Sequence, residues 1–329
     1  MKNQAAASQA KAPHLPSQKT AVSRPSLIVN ADDLGLCPGI NRGIARAYRD
    51  GILTSASLLA NAPAFAGGVE IAHDNPGRGV GAHLNIVRGR PLSAPEKVRA
   101  LVNTDGRFAG ISAIRRRAGS AVFVDAAERE YRAQIERILA TGIRPTHLDA
   151  EKHHCRYPPL RLLMWRLARE YGIPAVRTLR EPVFFALRAL PWPGWLRAAR
   201  ALWLRFFVSL PPAAPPCEGP RAPSWFFGQT HIGAMGEDVW LALLPRLPQG
   251  VIEVMCHPGE YSPEEAAACA AAFGPSWLAP QRPRELAALI SPKVKAAAAH
   301  YAQLTSFAIF QTGRPCIRDA NNGETIGNL

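Results

Sequence analysis

Short apolar runs alternate with longer segments of helical period from residue 25 onward, and this alternation organises the chain. The apolar runs predict strands at Ser26–Asn30, Ser55–Ala60, Gly79–Leu84, Thr146–Asp149, Ala175–Thr178, Ser224–Gln229 and Val251–Cys256. The segments between them predict helices over Gly39–Asp50, Ala64–Asn75, Val124–Thr141, Pro158–Tyr171, Asp238–Leu247 and Pro283–Leu289. The helix at 124–141 has the clearest pattern. Ala127, Tyr131, Ile135, Ile138 and Leu139 fall on one face among alternating charges, and Gly142 offers a C-terminal cap. Strand–helix alternation of this length predicts an α/β fold with a mostly parallel sheet or a barrel.

One segment breaks the pattern. Phe184–Pro216 is bracketed by proline and holds three of the seven tryptophans. If Gly194–Leu210 is helical, Trp195, Leu196, Ala199, Leu202, Trp203, Phe206, Phe207 and Leu210 share one arc of roughly 140°. Arg197, Arg200 and Arg205 lie off that arc, although Leu204 and Val208 blur the polar face. Such an amphipathic insertion suits a membrane interface, and it equally suits a helix packed on the core.

The 329 residues suffice for one large α/β domain or two small ones, and 47% hydrophobic content permits a sizeable core. No run of about 18 uncharged apolar residues exists, so no transmembrane helix is predicted. Residues 1–24 are polar and read as a disordered leader without a signal-peptide core, and 312–329 read as a flexible tail. The six cysteines form no CxxC pair, which argues against a zinc ribbon or a secreted disulfide scaffold and for reduced thiols in the cytoplasm. The formal charge of +14 attracts anions. With no helix-turn-helix, zinc-finger or RNP pattern, anionic lipid or an acidic substrate explains it as well as nucleic acid does, and nucleic acid ranks last.

The candidate chemistry sits at strand ends. Asn30-Ala31-Asp32-Asp33-Leu34-Gly35 places two adjacent carboxylates where the first strand is expected to end. Asp-Asp-x-Gly is also ordinary turn chemistry. Three further clusters follow predicted strands: Gly81-Ala82-His83-Leu84-Asn85, Thr146-His147-Leu148-Asp149-Ala150-Glu151-Lys152-His153-His154, and Cys256-His257-Pro258-Gly259. Gly228-Gln229-Thr230-His231 is a weaker fourth. A single histidine is more often a structural hydrogen-bonding group than a ligand. Here Asp32, Asp33, His83, His153 and His257 all lie just beyond C-terminal strand ends, which converge on one face in a parallel barrel. Nitrogen and oxygen donors on one face suggest a metal site with open positions, able to activate water for hydrolysis of an amide or ester.

Taken together, Asn-Ala-Asp-Asp-Leu-Gly at 30–35, Gly51-Ile52-Leu53-Thr54-Ser55-Ala56-Ser57, Gly-Ala-His-Leu-Asn at 81–85, Arg90-Pro91-Leu92 and Thr-His-Leu-Asp at 146–149 resemble the YdjC-like carbohydrate deacetylases. The resemblance covers about residues 25–180 most strongly, continues to His257-Pro258-Gly259, and within the family is nearest the hopanoid-biosynthesis-associated branch. It implies an irregular (β/α) TIM-like barrel in a single domain over 25–311, a divalent metal (Zn or Mg), and removal of acetyl from an N-acetylated amino sugar. By that resemblance Asp33 and His83 are metal ligands, Asp32 is the general base, and His257 is the general acid or orients the leaving group. The family's third ligand is a histidine where this chain has Glu151, so Glu151 or the nearby His153 takes that role. The branch implies N-acetylglucosamine linked to a hopanoid lipid. This would give the insertion a purpose: Trp195, Trp203, Phe206, Phe207, Arg197 and Arg200 would contact the inner membrane surface. Two alternatives stand beside it, a deacetylase of soluble chito-oligosaccharides and a non-catalytic lipid- or glycan-binding protein.

Overall fold

The computed structural model describes residues 24–182, 219–274 and 279–311. All but Arg24 of the expected leader, the whole aromatic segment 184–216 and the tail 312–329 lie outside the described residues.

Seven strands and nine α-helices are described. The first half runs β1 (Ser26–Leu34), α1 (Pro38–Asp50), β2 (Ser55–Leu58), α2 (Phe65–Asp74), β3 (Gly79–Leu84), α3 (Gly110–Arg117), α4 (Ala121–Leu139), β4 (Leu148–Ala150) and α5 (Pro158–Glu170). The second half runs β5 (Trp225–Phe227), α6 (Glu237–Leu243), β6 (Val251–Cys256), α7 (Pro263–Phe273), α8 (Arg282–Ile290), α9 (Pro292–Tyr301) and β7 (Gln303–Thr305). The strand order is β4-β3-β2-β1-β6-β5, with β7 paired to β1. Every pair is parallel.

β1 is the centre of the sheet because three strands pair with it. β6 lines one edge from Ser26 to Ala31, while β7 and β2 divide the other, at Ser26–Ile28 and Asn30–Leu34. A parallel strand covered on both faces needs a near-continuous apolar run, and Leu27, Ile28 and Val29 are wholly buried. The sheet curls into a half-barrel. Beyond β4 it is continued by isolated parallel bridges, Leu148 to Val176 and Ala175 to Arg221. The predicted strand at Ala175–Thr178 is therefore present only as bridge residues.

β1 also runs further than its apolar pattern predicts, through both aspartates to Leu34. Its register against β2 slips between Ala31 and Leu34, and Asp33 has φ 73°. This bulge carries the strand past two charges that a regular strand would send to opposite faces.

α4 begins three residues before its predicted start, and Gly142 closes the turn after it at φ 85°, its N–H donating to the Leu139 carbonyl at 3.0 Å. The packing is tightest where α1 meets the loop after β6. A Cβ on Gly43 would lie 2.6 Å from the Gly259 backbone, so only glycine admits that approach. Among the described residues no helix is long and apolar enough to cross a membrane.

Candidate functional site

Parallel strands deliver their C-terminal ends to one edge of the sheet, and the predicted polar clusters meet there. β1 brings Asp32 and Asp33, β2 brings Ser57, β3 brings His83, and β4 brings Asp149. A 3-10 turn over Glu151–Arg156 follows β4 directly. Within it Lys152 and His153 adopt left-handed φ of 49° and 51°. Consecutive non-glycine residues in that region cost about 1–3 kcal/mol each, and such strain persists only where its surroundings enforce it. His154 does part of the enforcing. Its Nδ1 donates to the Glu151 carbonyl at 2.8 Å, and its Nε2 accepts from the Tyr131 hydroxyl at 2.5 Å. Burial holds this imidazole neutral, with its pKa lowered to about 4.

Three side-chain atoms then face one another. His83 Nε2 lies 3.2 Å from Glu151 Oε2 and 4.0 Å from Asp33 Oδ1. The far atom of each side chain is held by another residue. His83 Nδ1 lies 2.9 Å from Asp149 Oδ1, Glu151 Oε1 lies 2.8 Å from Arg88 Nε, and Asp33 Oδ2 accepts from Arg282. Asp33 Oδ1 is buried without a hydrogen-bond partner. Two carboxylate oxygens and one imidazole nitrogen, all within 4.8 Å of one another, fit a divalent cation. A ligand histidine commonly donates its second N–H to a carboxylate, and Asp149 stands where that acceptor belongs. An overlapping group of Asp32, His83 and Asp149 meets the same distance criterion. In that group, however, both oxygens of Asp32 are taken by Arg177 and both of Asp149 by His83 and Ser57, whereas Asp33 Oδ1 has no hydrogen-bond partner, which makes the Asp33–His83–Glu151 set the better candidate.

The electrostatics agree with that choice. Burial opposes charge on His83, but Asp149, Glu151 and Asp32 raise its pKa well above the ordinary value, so a proton and a cation compete for the same ring. Burial pushes the Glu151 carboxyl up, and Arg88, His83 and Lys152 bring it well below the usual range. Asp32 is treated likewise by Arg177, His83 and His257, and is ionised.

His153 and His257 lie outside this set of three. His153 is buried, its ring edge meets Phe226 at 5.7 Å between centroids, and its Nδ1 has no hydrogen-bond partner. Burial lowers its pKa to about 3. The His257 backbone N–H donates to Glu285 Oε2 at 2.6 Å, while its Nδ1 also has no hydrogen-bond partner. His147 is structural. It stacks on Phe307 at 3.7 Å and bonds Ser57 and Thr146 at 3.1 Å each. His231 is buried in the segment after β5. The six expected membrane-contact residues lie outside the described residues.

Several residues of the site were not singled out from sequence, chiefly Arg88, Arg177, Glu253 and Arg282. Two of them carried a readable signal. Arg177 and Glu253 each interrupt an apolar run predicted as a buried strand, and a buried charge needs a partner. They find each other, Nε to Oε1, at 2.7 Å.

Fold and site thus define an α/β protein whose curled parallel sheet carries a buried carboxylate–imidazole centre at its C-terminal edge. The chain belongs to the YdjC-like family, whose description, YdjC-like protein, matches residues 26–300. It is 33% identical over 272 residues to a carbohydrate deacetylase of Geobacillus stearothermophilus, covering 82% of this chain and 91% of that protein. It is 39% identical over 152 residues to a carbohydrate deacetylase of Brevibacillus brevis, covering 45% and 57%. Among solved structures it resembles an Enterococcus faecalis V583 protein assigned as a cellobiose-phosphate cleavage protein. That match has a TM-score of 0.67 at 25% identity and covers 87% of this chain and 99% of the other.

Proposed function

We propose that the protein is a metal-dependent hydrolase that removes the acetyl group from an N-acetylated amino sugar. The observation that carries this reading is the convergence of Asp33 Oδ1, His83 Nε2 and Glu151 Oε2 beside the ionised Asp32. The relatives named as carbohydrate deacetylases support it. Asp33, His83 and Glu151 would hold the cation, Zn or Mg, with His153 as the alternative third ligand. When bound there, a divalent ion would supply Lewis-acid activation of the amide and of water.

The chain's own groups handle the protons. Asp32 takes one from the attacking water, and His257 returns one to the nitrogen as the C–N bond breaks, so acetate and a free amine leave. Asp149 keeps the His83 ring in one orientation. The irregular barrel belongs to the same reading, with the bridges at Val176 and Arg221 as the continuation of the sheet.

The substrate we infer is N-acetylglucosamine on a hopanoid lipid, reached at the cytoplasmic face of the inner membrane. Trp195, Trp203, Phe206, Phe207, Arg197 and Arg200 would make the contact. A soluble chito-oligosaccharide is the second reading, favoured by relatives whose names specify carbohydrate alone.

The test is acetate release with added divalent metal, on the lipid-linked sugar in liposomes and on soluble N-acetylated sugars, for wild type and Asp32→Ala. Metal-dependent release that Asp32→Ala abolishes supports the deacetylase. Release from soluble sugars alone removes the lipid. Failure to bind any divalent metal, with no release from either, points to a non-catalytic lipid- or glycan-binding protein.

A further inference from the structure

The Arg177 side chain is wholly buried, and its guanidinium spans three carboxyl groups from three different strands. It donates to both oxygens of Asp32, Nη1 to Oδ2 at 2.8 Å and Nη2 to Oδ1 at 2.6 Å. The same Nη1 lies 2.8 Å from Asp149 Oδ2. Nε donates to Glu253 Oε1 at 2.7 Å. Its plane also faces the Phe226 ring, 5.3 Å from the centroid. The backbone fixes its position as firmly, since the Arg177 N–H donates to the Leu148 carbonyl at 2.9 Å and so ties this residue to β4.

Two of the three carboxylates have roles in the proposed reaction. Asp32 stands beside the ligand set, and Asp149 holds His83 from behind. Without a shared cation these two buried anions would repel each other, and the geometry that holds Asp32 and Asp149 together would be lost. Asn30 and Ser57 each donate to one of them, at 3.0 Å to Asp32 and 2.8 Å to Asp149, but neither brings charge. Only a planar fork with five donors serves several carboxylates at once, and a lysine ammonium does not reproduce that geometry.

We propose that Arg177 is a positioning residue of the centre, fixing Asp32 as the proton acceptor and, through Asp149, fixing the ring of His83, with Glu253 as the acceptor that anchors its Nε. The inference rests on the deacetylase reading for the role of Asp32, but its hold on His83 is measurable without turnover. Arg177 touches no atom of the ligand set, so its effect on cation binding is indirect.

The experiment compares wild type, Arg177→Lys and Arg177→Ala by Mn²⁺ titration calorimetry, acetate-release kinetics and thermal melting. Arg177→Ala is repeated with millimolar guanidinium chloride. Arg177→Lys keeps the charge if the alanine variant does not fold. Outer-shell losses at metal sites are typically about 10–100-fold, and that is the expected weakening of Mn²⁺ binding in both variants. The expected catalytic loss falls on kcat, with KM within about threefold, because Arg177 does not reach the sugar. Guanidinium restores at least tenfold of both in Arg177→Ala, and methylammonium does not. Wild-type Mn²⁺ affinity together with a kcat within threefold of wild type in Arg177→Lys overturns the inference. A wild-type protein that binds Mn²⁺ and releases no acetate overturns the deacetylase reading instead, and the calorimetry on the variants then still decides the hold on His83.

Discussion

Glu151 Oε2 lies 3.2 Å from His83 Nε2, while the other nitrogen of the same ring lies 2.9 Å from Asp149. The imidazole is thus gripped on one side and offered on the other, facing a carboxylate oxygen rather than a second histidine. Glu151→Gln is expected to weaken Mn²⁺ binding by more than the about 10–100-fold typical of an outer-shell change. His153→Ala, outside the set of three, is expected to change it by less than about threefold. Titration calorimetry on the two variants ranks them, and the reverse order would make His153 the ligand.

Asp149→Asn tests the tautomer of His83. A carboxylate at 2.9 Å from Nδ1 requires that nitrogen to carry the proton and leaves Nε2 as the donor atom. An amide NH₂ turned toward the ring would favour the opposite tautomer. The expected outcome is a roughly 10–100-fold loss of Mn²⁺ affinity with little change in secondary structure by circular dichroism.

Gly81 tests how closely β3 approaches the strand beside it. A Cβ there would stand 2.4 Å from the ring of His147, which is itself pinned against Phe307 and has nowhere to move. Overpacking a rigid core typically costs about 1–3 kcal/mol, and Gly81→Ala is expected at the upper end of that range in denaturant melts.

His147 also gives the fold a measurable acid sensitivity. Burial lowers its pKa to about 3. The folded chain therefore keeps this ring neutral, whereas the unfolded chain protonates it as the pH falls through the ordinary value near 6.5. Stability is complete above that value and declines below it until the folded ring also protonates near 3. Between pH 7 and pH 5 this one group contributes a loss of about 2 kcal/mol. Glu253 works in the opposite sense, since burial raises its carboxyl to about 8 and its retained proton favours the folded state at lower pH. Comparing the pH dependence of stability in wild type and His147→Gln isolates the histidine. The variant should lose about 2 kcal/mol less over that interval, and parallel curves would show that His147 is not the source.

The local pattern of the chain determined where most strands lie and which residue types gather at their ends. Leu27-Ile28-Val29 predicts a buried strand because a parallel strand covered on both faces must be apolar, and Ser26–Leu34 is that strand. Asp33, His83 and Glu151 were readable because each follows or ends such a run. The motifs surrounding them carried the family as well. Tertiary structure decided which of these donors meet. A strand of period two would part Asp32 from Asp33, and the bulge at φ 73° resolves this only when β1 is seated between its neighbours. Glu151 joins His83 while His153 does not because the chain turns through left-handed conformations at Lys152 and at His153 itself, a choice that strain and packing make and spacing does not reveal. Arg177 and Glu253 stand 76 residues apart, and their pairing follows from a buried cation needing the acceptors nearest in space rather than in sequence.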